Sequence, residues 1–169
     1  MEIHRVWSMP NSRTFSIKPI AEMLGRYVVD SGNWVDPFAG DSLWAGVSND
    51  LDPKSLALHH EDALDFLRGL PSEKFNGILF DPPYSTRQVS ECYRKYGRTV
   101  NMETTQASFW TRLRAEAARI VTPGGIAISF GWNSGGLGKC NNCEIVEILL
   151  VPHGGIHNDT IVTVEKKLL

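Results

Sequence analysis

The sequence has little of what stabilises secreted or membrane proteins. Its 169 residues include only three cysteines. No apolar run approaches the roughly 18 residues that a membrane-spanning helix needs. Few cysteines and no apolar leader favour reduced thiols and an intracellular, cytoplasmic protein. A chain of this length buries about 70% of the surface that it exposes when unfolded, so we expect a single domain over residues 1–169 without a disulfide or metal.

The sequence also lacks a strong charge of either sign, with a formal net charge of −2. A nearly neutral chain is not typical of proteins that coat nucleic acid through bulk electrostatics alone. The charge is unevenly distributed, however, because residues 85–119 contain seven arginines or lysines and only three glutamates. This stretch is the part of the chain suited to a phosphate-bearing partner.

The basic stretch is predicted to begin with an amphipathic helix. Its apolar and aromatic side chains recur at helical spacing, at Val89, Cys92, Tyr93 and Tyr96. Its other face carries Arg87, Arg94, Lys95 and Arg98. Such a face either binds the phosphates of a nucleic acid or contacts solvent only. We favour the first interpretation, which makes these four basic residues candidate nucleic-acid contacts.

No GxGxxG pattern is present, so a nicotinamide or flavin enzyme is not indicated. A short apolar strand at 34–35 leads instead into the turn 36–40, which ends in alanine and glycine. Two residues with almost no side chain let a ligand approach the backbone closely. Further acids follow at Asp50, where doubly wound folds bind a ribose, and at Asp62. These features predict a nucleoside-binding pocket.

The most specific motif is Asp81-Pro82-Pro83-Tyr84, directly after the apolar run 78–80. An apolar run ended by two prolines is typical of a buried strand, and it places Asp81 where open α/β sheets bind ligands. The Asp81 carboxylate and the Pro82 carbonyl can accept both hydrogens of an amino group, and Tyr84 offers a flat face for a planar base. Holding the amine in this way points its lone pair at an electrophile. The alternative is a strand-ending turn without chemistry.

Together these segments resemble S-adenosylmethionine-dependent amino-methyltransferases of the DPPY type, and most of all small phage-style DNA adenine-N6 methyltransferases. The resemblance covers nearly the whole chain. It implies that residues 81–84 are catalytic and that residues 13–19 form an additional cofactor-binding motif. The cofactor-binding residues that it implies are Phe15, Lys18, Asp36, Pro37, Phe38, Ala39, Gly40, Asp50, Leu51, Asp62 and Ala63. It further implies S-adenosylmethionine as the cofactor, DNA as the partner, and a prokaryotic or phage-infected cell.

Two other kinds of function fit the same residues. Related sites act on RNA, on cytosine N4, on guanine N2 in RNA or on a protein glutamine amide, although aspartate as the first motif residue favours adenine by resemblance. A catalytically silent nucleic-acid-binding subunit would keep the fold without the reaction. The intact Asp81 and Tyr84 disfavour that second alternative.

The resemblance implies a three-layer, Rossmann-like α/β fold with a mostly parallel seven-stranded sheet. Residues 144–151 and 160–165 are predicted to form an antiparallel hairpin at its end. Only nine residues separate Gly40 from Asp50, so we expect a shortened first crossover helix. Residues 122–125 are predicted to end a helix and form a turn. We expect no separate target-recognition domain, because 85–106 is the only insertion of useful length.

Four residues near the C-terminus imitate the ligand spacing of a zinc finger: Cys140, Cys143, His153 and His157. The strand predicted between them argues against a shared metal ion. At about 3.3 Å per residue, that strand would hold Cys143 and His153 roughly 30 Å apart. We therefore predict no metal site.

Overall fold

The computed structural model describes residues 1–83, 85–97 and 107–169. The strands in these ranges are β1 (Glu2–Arg5), β2 (Trp34–Asp36), β3 (Val47–Ser48), β4 (Phe75–Phe80), β5 (Val121–Gly131), β6 (Cys143–Val151) and β7 (Thr160–Lys167). They form one sheet in the order β1-β6-β7-β5-β4-β2-β3. Only β7 is antiparallel to its neighbours, β5 and β6. The predicted α/β sheet with a C-terminal antiparallel hairpin is confirmed.

The described residues form four α-helices: α1 (Lys18–Tyr27), α2 (Ala63–Gly69), α3 (Thr86–Lys95) and α4 (Ala107–Ile120). Helix α1 starts beside Pro19, whose fixed φ and missing N–H suit the first turn. The side chains of Asp62 and Ser85 cap α2 and α3 by accepting backbone N–H groups of the first turn. None of these helices is both long enough and apolar enough to cross a lipid bilayer.

Helices cover both faces of the sheet and bury an apolar layer on each. On one face, Ile20 and Leu24 of α1 lie in a cluster with residues of β5, β6 and β7. On the other face, Leu67 of α2 and Leu113 of α4 pack with Ile78 of β4 and its neighbours. Full burial of one such side chain stabilises the fold by about 1.5–3 kcal/mol. The sequence of α4 predicts an amphipathic helix, because four apolar residues recur at helical spacing, and all four are buried in this core: Phe109, Leu113, Ala117 and Ile120.

The first crossover contains no helix, whereas the sequence predicted a shortened one. Residues 37–46, between β2 and β3, form turns and bends only. The connection closes with a hydrogen bond of 2.7 Å from the Gly46 N–H to the Ser31 carbonyl. Ten residues are too few to run back along the sheet as a helix and still return to a parallel strand.

The helix predicted to end at residues 122–125 does end just before them, at Ile120, but the turn predicted there is wrong. Strand β5 begins at Val121, directly after α4, and runs through these residues. Its register against β4 shifts there, because Val121 pairs with Phe75 but Ile126 pairs with Gly77. Gly124 has φ of +80°, which an irregular step in a strand tolerates and a side chain would resist. The Pro-Gly-Gly sequence therefore produces a bulge inside a strand instead of a turn before one.

Strand β1 was not predicted from the sequence pattern. Its residues Glu2–Arg5 pair in parallel with residues 147–150 of β6, at the edge of the sheet. All four are exposed, so the strand shows no alternation of apolar and polar residues. The pairing continues beyond the strand, where the Val6 N–H donates to the Leu150 carbonyl at 3.0 Å.

Candidate active site

A cavity of about 650 Å³ lies at the carboxyl ends of β2, β3 and β4. Parallel strands bring their carboxyl ends to one edge of the sheet, so segments far apart in sequence meet there. The sequence-predicted site residues that line it are Pro37, Phe38, Gly40, Asp50, Leu51, Asp62, Ala63, Asp81, Pro82 and Pro83. The fold therefore brings together residues from the glycine turn, the two following acids and the motif that begins at Asp81.

Carboxylates dominate this cavity, which we call the acidic cavity. The charged residues in its described lining are Asp41, Asp50, Asp52, Lys54, Glu61, Asp62, Asp81 and Glu91. Seven negative charges against one positive charge repel phosphate groups and attract a cationic ligand with amino or hydroxyl donors. A dinucleotide or a nucleoside triphosphate is therefore a poor fit.

Asp50 ties the turn to the end of β3. One of its carboxylate oxygens accepts the Gly40 N–H at 2.8 Å, and the other accepts the Asp52 N–H at 2.8 Å. Gly40 has φ of +53°, a left-handed conformation that costs a residue with a side chain about 1 kcal/mol or more. Each Asp50 oxygen keeps a further lone pair, which suits the hydroxyl groups of a ribose.

Helix α3 is joined to the floor of the acidic cavity by two tyrosines. The Tyr93 hydroxyl donates to Oδ2 of Asp62. The Tyr96 hydroxyl donates to Oδ2 of Asp52 at 2.9 Å. Because Oδ1 of Asp62 already accepts backbone N–H groups of α2, an amine that binds Asp62 must compete with Tyr93. The sequence pattern predicts both tyrosines on one face of the helix, but it does not predict their hydrogen-bond partners.

Asp36 lies beneath the turn and does not line the acidic cavity. Its Oδ1 accepts the Phe38 N–H at 3.0 Å, whereas its Oδ2 has no hydrogen-bond partner in the described structure. Complete burial raises the pKa of Asp36 well above its ordinary value. The Phe38 N–H opposes that rise, and the charges of Asp81 and Asp50 add to it. Burial therefore favours the neutral form of this carboxyl group, which lies beneath the turn and accepts its Phe38 N–H.

Pro82 and Pro83 line both the acidic cavity and a second cavity of about 220 Å³. We call the second one the β5 cavity. Its other described lining residues come from β4, α4, β5 and the segment after β5: Phe80, Trp110, Arg114, Ser129, Phe130, Gly131, Trp132, Asn133 and Gly136. Tyr84, the last residue of the predicted catalytic motif, lies outside the described residues. The motif that begins at Asp81 thus stands between two cavities of different chemistry.

The β5 cavity was missed at the sequence level. From the sequence alone, Arg114 on α4 is expected to be mainly structural, and no pattern predicts a role for Trp110, Ser129 or Trp132. One available signal was a serine within the apolar strand segment 126–130, followed closely by a tryptophan. A polar residue inside a buried strand requires an explanation, and a cavity beside it provides one.

No protein-family model and no curated protein matches the sequence. Solved structures do resemble this fold. The 1,6-didemethyltoxoflavin-N1-methyltransferase of Burkholderia thailandensis, with bound S-adenosylhomocysteine, superimposes with a TM-score of 0.59 and 13% identity, over 90% of this chain and 78% of that one. The chain has a Rossmann-like methyltransferase fold.

Two further methyltransferase-fold neighbours show the same likeness. The N-methyltransferase NodS from Bradyrhizobium japonicum WM9 has a TM-score of 0.57 and 10% identity, over 95% of this chain and all (100%) of that one. TrmN from Thermus thermophilus has a TM-score of 0.55 and 18% identity over 90% of this chain. This chain covers only 49% of the Thermus protein. At such low identity the likeness establishes the fold, and the reaction must be argued from the site.

Besides Asp36, three further predicted cofactor residues line neither cavity of this methyltransferase fold. Phe15 packs in the core with its ring centroid 4.8 Å from that of Phe130. Lys18 is exposed, and its ammonium lies 4.0 Å from a carboxylate oxygen of Glu22. Ala39 is buried, and its N–H donates to the Asn49 carbonyl at 2.9 Å. Direct cofactor contact by these three residues stays a prediction.

Helix α3 and its two faces are confirmed. Arg87, Arg94 and Lys95 lie on its exposed face, while Val89 is buried. The Arg87 guanidinium donates to Glu91 at 2.8 Å, one helical turn away. Arg98, the fourth predicted nucleic-acid contact, lies outside the described residues. Nucleic-acid binding by this face stays a prediction.

Strand β6 separates the cysteines from the histidines that imitate a zinc finger. Cys143 is its first residue, and His153 follows its end. Both ring nitrogens of His153 are engaged, Nδ1 with the Ser8 carbonyl at 2.9 Å and Nε2 with the Thr160 hydroxyl at 2.8 Å. Among the described residues, no group of three or more potential ligands could hold a metal ion.

Proposed function

We propose that this protein transfers a methyl group from S-adenosylmethionine to the exocyclic N6 amino group of adenine in DNA. One observation carries the proposal. The Asp81-Pro82-Pro83 segment lies at the carboxyl end of β4, with a large acidic cavity on one side and a smaller aromatic cavity on the other. A transfer reaction needs its two reacting atoms about 3–3.5 Å apart and in line, so a donor site and an acceptor site must meet at one place, and this segment borders both cavities.

The acidic cavity fits S-adenosylmethionine, which carries a sulfonium, an ammonium group, two ribose hydroxyls and an adenine amine. Asp50 has lone pairs for the hydroxyls, and Asp62 accepts the adenine amine when Tyr93 yields one oxygen. The other carboxylates of the lining favour the two positive charges. Bound S-adenosylmethionine supplies a methyl group on an electron-poor sulfur, which takes the electron pair of the broken carbon–sulfur bond.

Asp81 and the Pro82 carbonyl would align the acceptor amine. The lone pair of an adenine N6 is delocalised into the ring, which makes the nitrogen a poor nucleophile. Two acceptors that take both amino hydrogens favour a pyramidal nitrogen with its lone pair directed at the methyl carbon. Once the nitrogen–carbon bond forms, the nitrogen carries a positive charge, and it becomes neutral by losing one of these protons to solvent water.

The choice of DNA adenine rests on the resemblance together with the basic face of α3. That face lies on the helix that follows the motif, where it can bind phosphates on either side of a base that has left the stack. RNA, cytosine N4, guanine N2 in RNA and a protein glutamine amide present the same kind of amine. The experiment below distinguishes all of them in one measurement.

The test is transfer of an isotope-labelled methyl group from S-adenosylmethionine to separate pools of DNA, RNA and protein, followed by nucleoside and amino-acid analysis. We expect label in DNA as N6-methyladenine. Label in another polymer or on another atom would show that the proposed acceptor is wrong and that the protein is still a methyltransferase. Cofactor binding without transfer to any pool would support the silent-subunit alternative and contradict the proposal.

Asp81→Ala provides the matched test of the mechanism. We expect turnover to fall by at least about 100-fold, because the carboxylate acts on the amine as the transition state forms. The dissociation constant of S-adenosylmethionine, measured by titration calorimetry, should change far less, by about twofold, because the other six carboxylates of the acidic cavity remain. Asp65→Ala removes an exposed carboxylate outside both cavities and should leave both quantities unchanged. Retained turnover in Asp81→Ala would remove this residue from the mechanism.

A further inference from the structure

The β5 cavity lies beside the strand end that carries Asp81. Ser129 of β5 pairs with Phe80 of β4, the residue directly before Asp81. Paired residues of parallel strands direct their side chains to the same face of the sheet, and both Ser129 and Phe80 line the cavity. The Ser129 side chain therefore lies in the β5 cavity next to the end of β4, one residue before Asp81.

Two polar groups in this lining have no hydrogen-bond partner. Ser129 is only 6% exposed, and its hydroxyl oxygen bonds no other group of the described structure. The Nε of Arg114, on α4, is likewise buried without a partner. An unsatisfied buried polar group costs about 1–3 kcal/mol, so a protein that keeps two in one cavity wall gains from a ligand that satisfies them.

The remaining lining suits a flat aromatic ligand. Two tryptophans line the cavity. Trp110 of α4 is half-buried, and Trp132, which directly follows β5, is 45% exposed. Stacking of a base on an aromatic side chain is worth about 1–3 kcal/mol. Arg114 is the one charged residue in the described lining of this cavity, in contrast to the seven carboxylates of the acidic cavity. The two cavities therefore select different ligands.

We propose that the β5 cavity receives the acceptor base and that Ser129 and Arg114 donate hydrogen bonds to a ring acceptor atom next to its amino group. This inference rests on the proposed function and adds the residues that select the base. Adenine fits, because N1 and N7 are acceptors on either side of the N6 amine. Cytosine, with N3 beside the N4 amine, has the same pattern. A base with an N–H at that place would oppose the Arg114 donor.

The test compares DNA oligonucleotides that carry adenine, 7-deazaadenine or 1-deazaadenine at one methylated position. Each analogue lacks one ring acceptor and keeps the amine. With the wild-type protein, we expect kcat/KM to fall about tenfold for one of the two analogues, the value of one good hydrogen bond. Ser129→Ala should lower kcat/KM for adenine by a similar factor and reduce the discrimination against that analogue to below about threefold.

The matched control is Thr163→Val. Thr163 of β7 pairs with Ser129, and its hydroxyl is also buried without a partner, but it does not line the β5 cavity. This variant should keep wild-type kcat/KM and full discrimination between adenine and the analogue. Arg114→Lys keeps the charge, loses the Nε donor and should weaken discrimination as Ser129→Ala does. Titration calorimetry with S-adenosylmethionine should give wild-type affinity for all three variants, which shows that they fold.

The outcomes separate this inference from the proposed function. If the wild-type protein methylates DNA and both Ser129→Ala and Arg114→Lys keep wild-type discrimination, the base does not bind here, and the proposed function is untouched. If the wild-type protein transfers no methyl group to any acceptor, the proposed function fails and this inference fails with it. Equal loss in Thr163→Val and Ser129→Ala would indicate a packing effect and would also overturn the inference.

Discussion

The Tyr93 hydroxyl donates a hydrogen bond to Oδ2 of Asp62, the oxygen that the adenine amine of the proposed cofactor would bind. We therefore expect Tyr93→Phe to bind S-adenosylmethionine more tightly than the wild-type protein. The gain should be about three- to tenfold, the net value of one hydrogen bond that the cofactor no longer has to displace. Titration calorimetry measures it directly.

Tyr96→Phe is the control for this prediction. It removes the comparable bond from α3 to Asp52, a residue that was assigned no cofactor contact. If binding tightens only in Tyr93→Phe, competition for Asp62 is the cause. Tighter binding in both variants would indicate that α3 itself restricts entry to the acidic cavity. Unchanged or weaker binding in Tyr93→Phe would contradict the assignment of Asp62.

Asp36 makes the stability of the protein depend on pH. Burial raises its folded-state pKa above the unfolded value, so its contribution to stability is fully present below the ordinary pKa of an aspartate. That contribution is lost as the pH rises through the folded-state pKa. Asp36→Asn keeps an oxygen for the Phe38 N–H and cannot ionise.

We expect Asp36→Asn to be more stable than the wild-type protein at pH 8, by about 1 kcal/mol or more, since each pKa unit is worth about 1.4 kcal/mol. The difference should shrink as the pH falls toward about 4. Urea unfolding at several pH values measures it, with the exposed-site variant Asp65→Asn as the control for removal of a carboxylate. A variant that is less stable than the wild-type protein at every pH would contradict this account.

Among the elements, helix α3 combines two surfaces with different partners. Its buried face supplies Val89, Cys92 and Tyr93 to the acidic cavity, and its exposed face carries Arg94 and Lys95. The capping serine Ser85 fixes where the helix starts. Because one rigid helix carries both faces, a nucleic acid bound outside would lie within one helix diameter of the proposed cofactor.

The double variant Arg94→Ala, Lys95→Ala tests the outer face of α3. Removal of one phosphate-binding side chain should lower the salt dependence of DNA affinity by about one unit of slope, so we expect a reduction of about one to two. Fluorescence anisotropy with duplex DNA at several salt concentrations measures this slope. Cofactor affinity should not change, because neither side chain lines the acidic cavity.

Lys139 and Lys166 provide a matched control pair. Both are exposed, they lie near the start of β6 and the end of β7, and neither lines the acidic cavity. Lys139→Ala with Lys166→Ala removes the same charge and should leave the slope nearly unchanged. An equal reduction in both double variants would show that α3 has no special part in DNA binding.

At the scale of the whole molecule, little of the chain lies outside the sheet and its covering helices and could read a DNA sequence. The insertion that follows the motif, residues 85–106, has only 22 residues, and we expect no separate target-recognition domain in residues 1–169. Selectivity of the monomer should therefore be weak. Mapping N6-methyladenine on a long DNA should show a short or degenerate context, and strict methylation of a six-base palindrome by the monomer would contradict this.

Most strands and helices followed from local patterns. Apolar runs predicted β2, β4 and the β6–β7 hairpin, and the periodic apolar residues of α4 predicted its buried face. Strand β1 could not be predicted, because its four residues are exposed and it exists only through pairing with β6. The turn at 122–125 was wrong for a related reason, since neighbouring strands hold those residues in the sheet as a bulge.

The sequence by itself determined the acids, the Asp81 motif and the strand ends on which they lie, because these depend on residue type and short-range backbone preference. Only the tertiary structure decided which side chains share a cavity. The hydrogen bond of Tyr93 with Asp62, and the position of Ser129 and Arg114 behind Pro82, join segments 31 or more residues apart. No local pattern encodes such neighbours, because they arise from how the strands pair and how α3 and α4 pack on the sheet.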